Sequence, residues 1–147
     1  KCTYVNEKGE NVPMRMGCYG IGVTRTLQSI VEQYHDEHGI KWPLNVAPYH
    51  AVIVPITIKD ETQYNLANQI YEELKKEHNE AIFDDRDAKP GFKFKDWELI
   101  GIPYQIIVGR RASEGIVELK DRRTLEKVEM NYLDAINFIK EKVDNIE

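Results

Sequence analysis

Ile82-Phe-Asp-Asp-Arg-Asp-Ala-Lys-Pro-Gly-Phe-Lys-Phe-Lys-Asp-Trp-Glu-Leu-Ile-Gly-Ile-Pro-Tyr-Gln-Ile-Ile-Val-Gly109 is the stretch that decides the fold. It contains two short apolar runs, Ala81 to Asp84 and Tyr104 to Val108, each of strand length and bounded by charged or turn-forming residues. Between them Pro90-Gly91 breaks the chain and Phe92 to Ile100 reads as a short helix. The same alternation continues on both sides. Upstream, His50 to Ile58 is a near-continuous apolar run, the mark of a strand buried on both faces. Glu61 to His78 is helical, with Leu66, Ala67, Ile70, Tyr71 and Leu74 on one stripe. Downstream, Gly115 to Leu119 and Thr124 to Met130 read as two more strands. Asn131 then caps a closing helix that runs to Val143, with Leu133, Ile136, Ile139 and Val143 on one face. The order βαβαβββα predicts an α/β domain: a mixed five-stranded sheet with helices packed on it.

The first 48 residues have a different character. Lys1 to Val5 and Pro13 to Val23 read as strands joined by a turn at 6–11, followed by a helix over Thr24 to His38 that Gly39 closes. Leu27, Ile30, Val31 and Tyr34 give that helix an apolar face. Two strands and one helix bury little, so this segment is expected to be part of a larger sheet. Trp42-Pro-Leu-Asn-Val-Ala-Pro48 is extended and bounded by prolines, as a linker would be.

Composition narrows the function classes. The 147 residues are 41% hydrophobic and 31% charged, with a net charge of −5. That charge argues against binding nucleic acid by bulk electrostatics. It is uneven, however: residues 84 to 127 carry ten Lys/Arg against nine Asp/Glu, leaving the excess acid elsewhere. No apolar stretch approaches the ~20 residues of a membrane helix, and no secretory leader is visible. Cys2 and Cys18 are too few for a disulfide framework. A cytoplasmic protein with no membrane partner is the expectation.

Two blocks carry chemistry. The first is Met16-Gly-Cys-Tyr-Gly-Ile-Gly-Val-Thr-Arg25. In a strand, alternation would put Cys18, Gly20 and Gly22 on one bare face and Tyr19, Ile21 and Val23 in the core. A flat ligand could lie on that face, and an arginine beyond it could grip phosphates with its planar fork. A glycine bulge beside a surface arginine is the plainer alternative. The second is the opening stretch itself. Phe92, Phe94 and Trp97, interleaved with Lys93 and Lys95, offer stacking surfaces and cations for single-stranded RNA, though Trp97 at helical spacing from Phe94 also fits a core position. Asp84, Asp85 and Asp87 are spaced for pairing with Arg86 or capping a turn rather than for metal, and no metal site is expected. Lys120, Arg122 and Arg123 read as solvated charges of a hairpin turn.

The first block resembles motif 3 of class II aminoacyl-tRNA synthetases. The second resembles the anticodon-binding domain of class IIa synthetases, which joins an Asp-Asp-Arg element to a later Gly-Ile-Pro turn. Together they resemble the C-terminal part of bacterial-type prolyl-tRNA synthetases over nearly the whole chain. The resemblance implies a motif 3 fragment of the antiparallel catalytic domain and linker over 1–48, and an anticodon-binding domain over 49–147. It implies that Gly20, Gly22 and Arg25 bind ATP, with Arg25 acting on the phosphates in catalysis. It places Cys18 and Gly20 in the proline pocket, where a buried structural thiol is the alternative reading of Cys18. For the anticodon it implies Phe94, Glu98, Gln105 and Arg111. Glu98 would read guanine; Gln105 stands where some members have arginine. The implied parent is a homodimeric proline–tRNA ligase that uses ATP with Mg2+ as substrate and charges proline tRNA. Motifs 1 and 2 are absent, so the chain alone is expected to be inactive and to carry no cofactor. A stand-alone RNA-binding module without catalysis is the alternative.

Overall fold

A computed structural model of the chain describes residues 2–76 and 80–146. In chain order its elements are β1 (Thr3–Val5), β2 (Asn11–Pro13), α1 (Val23–Gln33), β3 (His35–Asp36), β4 (Gly39–Ile40), β5 (Ala51–Pro55) and α2 (Glu61–Lys76). There follow β6 (Ala81–Phe83), α3 (Pro90–Ile100), β7 (Tyr104–Val108), β8 (Ile116–Asp121), β9 (Lys127–Asn131) and α4 (Tyr132–Asp144).

From β5 onward the expected order holds. The sheet runs β6-β5-β7-β8-β9. Strand β5 pairs in parallel with β6 and β7, while β7 with β8 and β8 with β9 are antiparallel. Every residue of β5 is buried, because helices cover the sheet there on both sides. One face sends Ala51, Ile53, Ile106, Val108 and Leu119 against Leu66, Ile70 and Leu74 of α2 and Ile136 and Ile139 of α4. The other sends Val52 and Val54 against Trp97 of α3 and Ile102. Each fully buried Ile, Leu or Val contributes about 1.5–3 kcal/mol. Asn131 caps α4 as expected, its side-chain oxygen accepting from the Leu133 N–H at 3.0 Å. Leu133 itself is 52% exposed and leaves the apolar stripe.

Helix α3 starts earlier than its sequence suggests: Pro90 and Gly91 are its first residues. Proline fits the first helical position because its missing N–H would be unpaired there anyway. The expected helix over 61–78 is observed to Lys76. Positions 77 and 78, including His78, lie outside the described residues, as does Lys1 of the first expected strand.

The first 48 residues depart furthest from expectation. Strand β2 ends at Pro13, and 14–22 has no regular structure before α1 begins at Val23. Tyr19, Ile21 and Val23 are 98%, 85% and 79% exposed, so they fill no core here. The reason is physical. Among the described residues β1 and β2 pair only with each other, and glycines offer no side chain to pack while losing more backbone entropy than other residues. Helix α1 ends at Gln33, not His38, and buries none of its residues. Gly39 does not cap it. It lies in the β3–β4 hairpin at φ +142°, where a Cβ would sit 2.4 Å from the Leu99 Cα.

That hairpin docks on the end of α3, and the expected linker is part of the dock. Trp42 is buried, and its indole N–H donates to the Ile100 carbonyl at 2.9 Å. Arg122 Nε donates to the Glu98 carbonyl at 3.0 Å, and the Gly101 N–H to the Trp97 carbonyl at 2.9 Å. Three of the carbonyls that a helix end leaves open are thus taken. Gly101 sits at φ +84° with the Ile40 oxygen 2.2 Å from where a Cβ would be, so a side chain there would displace the hairpin.

Candidate functional site

Helix α3 packs on one face of the sheet, over Ile82 of β6 and Val52 and Val54 of β5, and on that side the edge strand β9 stays mostly exposed. A groove of about 490 Å3 lies there, lined by Phe94, Ile107, Arg111, Glu118, Lys127 and Glu129 among others. Alternation along β7 and β8 directs Ile107 and Glu118, and one step along Gln105 and Lys120, to this face.

The groove is only weakly basic: Arg110, Arg111 and Lys127 in its lining stand against Glu118 and Glu129. Arg111 donates to Glu129 at 2.7 Å and to Glu114 at 2.9 Å, raising the arginine's already high pKa. Lys127 pairs with Glu118 at 3.0 Å. Phe94 is half-buried at the rim, packed against the Val52, Val54 and Trp97 cluster. One helical turn on, Glu98 is paired with Lys120. Lys120 is itself 93% buried, so the expected picture of a solvated turn residue is corrected. Gln105, its partner across the β7–β8 pair, is fully buried, and neither its amide oxygen nor its nitrogen has a hydrogen-bond partner.

Arg122 also departs from the solvated-turn picture. It is fully buried and donates through both terminal nitrogens to Asp36, at 2.9 and 2.7 Å. The guanidinium holds the Asp36 carboxyl well below the usual carboxylate range. Only Arg123 of the three keeps an exposed side chain.

Asp84 anchors the start of the same face. Its carboxylate accepts from Arg86 at 2.9 and 3.0 Å and from the Trp97 indole at 2.7 Å. Lys93 lies 3.8 Å away and is fully buried. Burial pushes the Asp84 pKa up, but the bonds from Arg86 and Trp97 outweigh it and the net direction is down. Trp97 and Lys93 are therefore core groups, and the stacking candidates reduce to the exposed Phe92 and the half-buried Phe94. The pairing expected for Asp84 is what the structure has. Among the described residues no cluster of His, Cys, Asp and Glu could hold a metal ion.

The glycine-rich block lies apart from the groove. Gly22 is the N-cap of α1 and Arg25 is in its first turn, exposed. Open space surrounds Gly20, and Cys18 is an exposed free thiol rather than a buried one.

A family model for the anticodon binding domain matches residues 50–142. The chain belongs to the anticodon-binding domain family. Its curated relatives include proline–tRNA ligases. That of Caldicellulosiruptor saccharolyticus is 51% identical over 94% of this chain, and that of Fusobacterium nucleatum 55% over 95%; the chain covers 24% of each. The Aquifex aeolicus enzyme is 46% identical over 98% of the chain, which covers 25% of it. The chain thus spans about a quarter of the length of the relatives it matches. Two crystal structures of prolyl-tRNA synthetase from Cryptosporidium parvum have the same fold at 25% identity, covering 97% of this chain and 30% of theirs. The one with halofuginone and AMPPNP gives a TM-score of 0.74, and the one with L-proline and AMP gives 0.77.

The anticodon-binding domain brings Phe94, Glu98 and Arg111 to one face and buries Gln105 beneath it. Sequence reasoning missed Lys120 and Arg122. The signal was present: in β8 the period of two puts Lys120 on the face of Glu118, and a lysine in a central strand needs a partner. No helix among the described residues is long and apolar enough to cross a membrane.

Proposed function

We propose that the chain is part of a cytoplasmic proline–tRNA ligase in which residues 49–147 read the tRNA anticodon and 1–48 contribute to the ATP and proline site. The observation that carries this reading is the groove beside α3, lined by Phe94 and Arg111, with Glu98 one helical turn from Phe94 and paired with Lys120 of β8. Single-stranded bases need a surface to stack on and groups aimed at their pairing edges. Phe94 supplies the first. Glu98 accepts from guanine N1–H and N2–H2, and proline anticodons end in two guanines. Arg111 reaches a base or a phosphate. The small net charge of the groove fits recognition through a few bases rather than through a long phosphate track. Gln105, buried without partners, contributes only if a base enters deeply enough to meet its amide.

In the N-terminal part, Arg25 binds the ATP phosphates, Gly20 and Gly22 leave room for adenine, and Cys18 with Gly20 lines the proline pocket. Mg2+ accompanies ATP on its phosphates. The ligase acts as a homodimer. The reading is tested with Phe94→Ala and Glu98→Ala in the full-length enzyme. Each weakens binding of proline tRNA by about 1–3 kcal/mol and leaves proline-dependent pyrophosphate exchange intact. Loss of exchange with tRNA affinity unchanged would remove the groove from tRNA recognition.

A further inference from the structure

Glu98 does not present its carboxylate alone. Lys120 donates to its Oε1, and no hydrogen bond to Oε2 is found among the described residues. An ionised carboxylate has about four acceptor positions and an ammonium has three donors. The pair therefore retains acceptors on the glutamate and two further N–H groups on the lysine. Lys120 is 93% buried, between Gln105 and Lys127 on the neighbouring strands. Its position is fixed by the sheet, unlike that of a surface lysine. Glu98 is fixed from behind, since Arg122 grips its carbonyl. Side by side, then, stand a fixed acceptor and a fixed cationic donor.

Guanine's pairing edge has the complementary order: the O6 acceptor, then the N1–H and N2–H2 donors. Adenine reverses the first two, with an N6–H2 donor and then an N1 acceptor. We propose that Lys120 is a specificity-determining residue of this site, donating to guanine O6 while it holds Glu98 toward guanine N1 and N2. The inference rests on the reading of Glu98 given above. An adenine would set its N6 amine against the ammonium and its N1 lone pair against the carboxylate.

The test is titration of the chain with anticodon stem-loops in which each of the two guanines is replaced in turn by 6-thioguanine or inosine. The first weakens the O6 acceptor and the second removes the N2 amine. At the position Glu98 reads, 6-thioguanine should weaken binding about tenfold or more, as befits a hydrogen bond to a charged donor. Lys120→Met should abolish that difference while part of the guanine-over-inosine preference remains, and Lys120→Arg should restore it. Full retention of the 6-thioguanine effect in Lys120→Met would overturn the proposal. So would equal binding of guanine and 6-thioguanine at both positions by the unsubstituted chain, a result that does not depend on any variant folding. Glu98→Gln separates the two levels. If it leaves the guanine-over-inosine preference unchanged, the reading of Glu98 fails. If it removes that preference while Lys120→Met keeps the O6 dependence, only the role of Lys120 fails.

Discussion

Asp84→Ala lowers the unfolding free energy by about 3–5 kcal/mol, the cost of removing one partner from a buried ionic cluster. Asp84 is 2% exposed and is the acceptor on which Arg86, Trp97 and Lys93 converge. Without it the Lys93 ammonium keeps, among the described residues, the carbonyls of Pro55 and residue 84, at 3.3 and 3.2 Å, and the Trp97 N–H loses its acceptor. Arg86, tied also to Asp96 at 2.6 Å, loses its buried anchor. Asp84→Asn, which retains an acceptor for Trp97, should cost less. The effect depends on pH with a definite sign. The folded-state pKa of Asp84 lies below its ordinary value, so the carboxylate stabilises fully above about pH 4 and less as pH falls through the folded value. Urea unfolding followed by tryptophan fluorescence should show the two proteins far apart at pH 7 and converging in acid. A gap that widened in acid would contradict the account.

Arg25→Ala, made in the full-length ligase, lowers proline-dependent pyrophosphate exchange by on the order of 10²–10³. Attack of the proline carboxylate on the α-phosphate spreads negative charge over the phosphate oxygens, and a fixed guanidinium stabilises it. On the proposed reading Arg25 supplies that guanidinium. It lies in the first turn of α1, whose exposed N–H groups add partial positive charge in the same direction. Affinity for proline tRNA should be unchanged, because the groove is on another part of the chain. Near-normal exchange in this variant would rule out the phosphate role.

The α/β part of the fold was legible because its strands and helices are self-consistent. The unbroken apolar run at Ala51–Pro55 requires two covered faces, and α2 and α3 cover them. The cap at Asn131 and the pairing of Asp84 with Arg86 follow from local chemistry. The glycine-rich block was not legible in the same way. Its alternation describes a strand only where a neighbour supplies hydrogen bonds, and β2 stops at Pro13 with only β1 beside it. The C-terminal edge of α1 was misjudged because periodicity continues through Tyr34 while the chain turns into a hairpin that Arg122 pins through Asp36. That contact joins residues far apart in sequence, and no local pattern announces it. For Lys120 the alternation along β8 did signal a need for a partner, but it does not name Glu98, which lies on a helix 22 residues away in sequence. The family resemblance implied a base-reading role for Glu98, while Lys120 was read as a surface charge, because burial of a lysine is decided by the helix packed above it.

The most direct measurement is titration of the chain with a proline anticodon stem-loop and with a version carrying adenine at both guanine positions, at low and at physiological salt. The account predicts tighter binding of the guanine version, with the preference surviving at physiological salt because it resides in base contacts rather than in phosphates. Equal binding of the two stem-loops at both salt concentrations would contradict it.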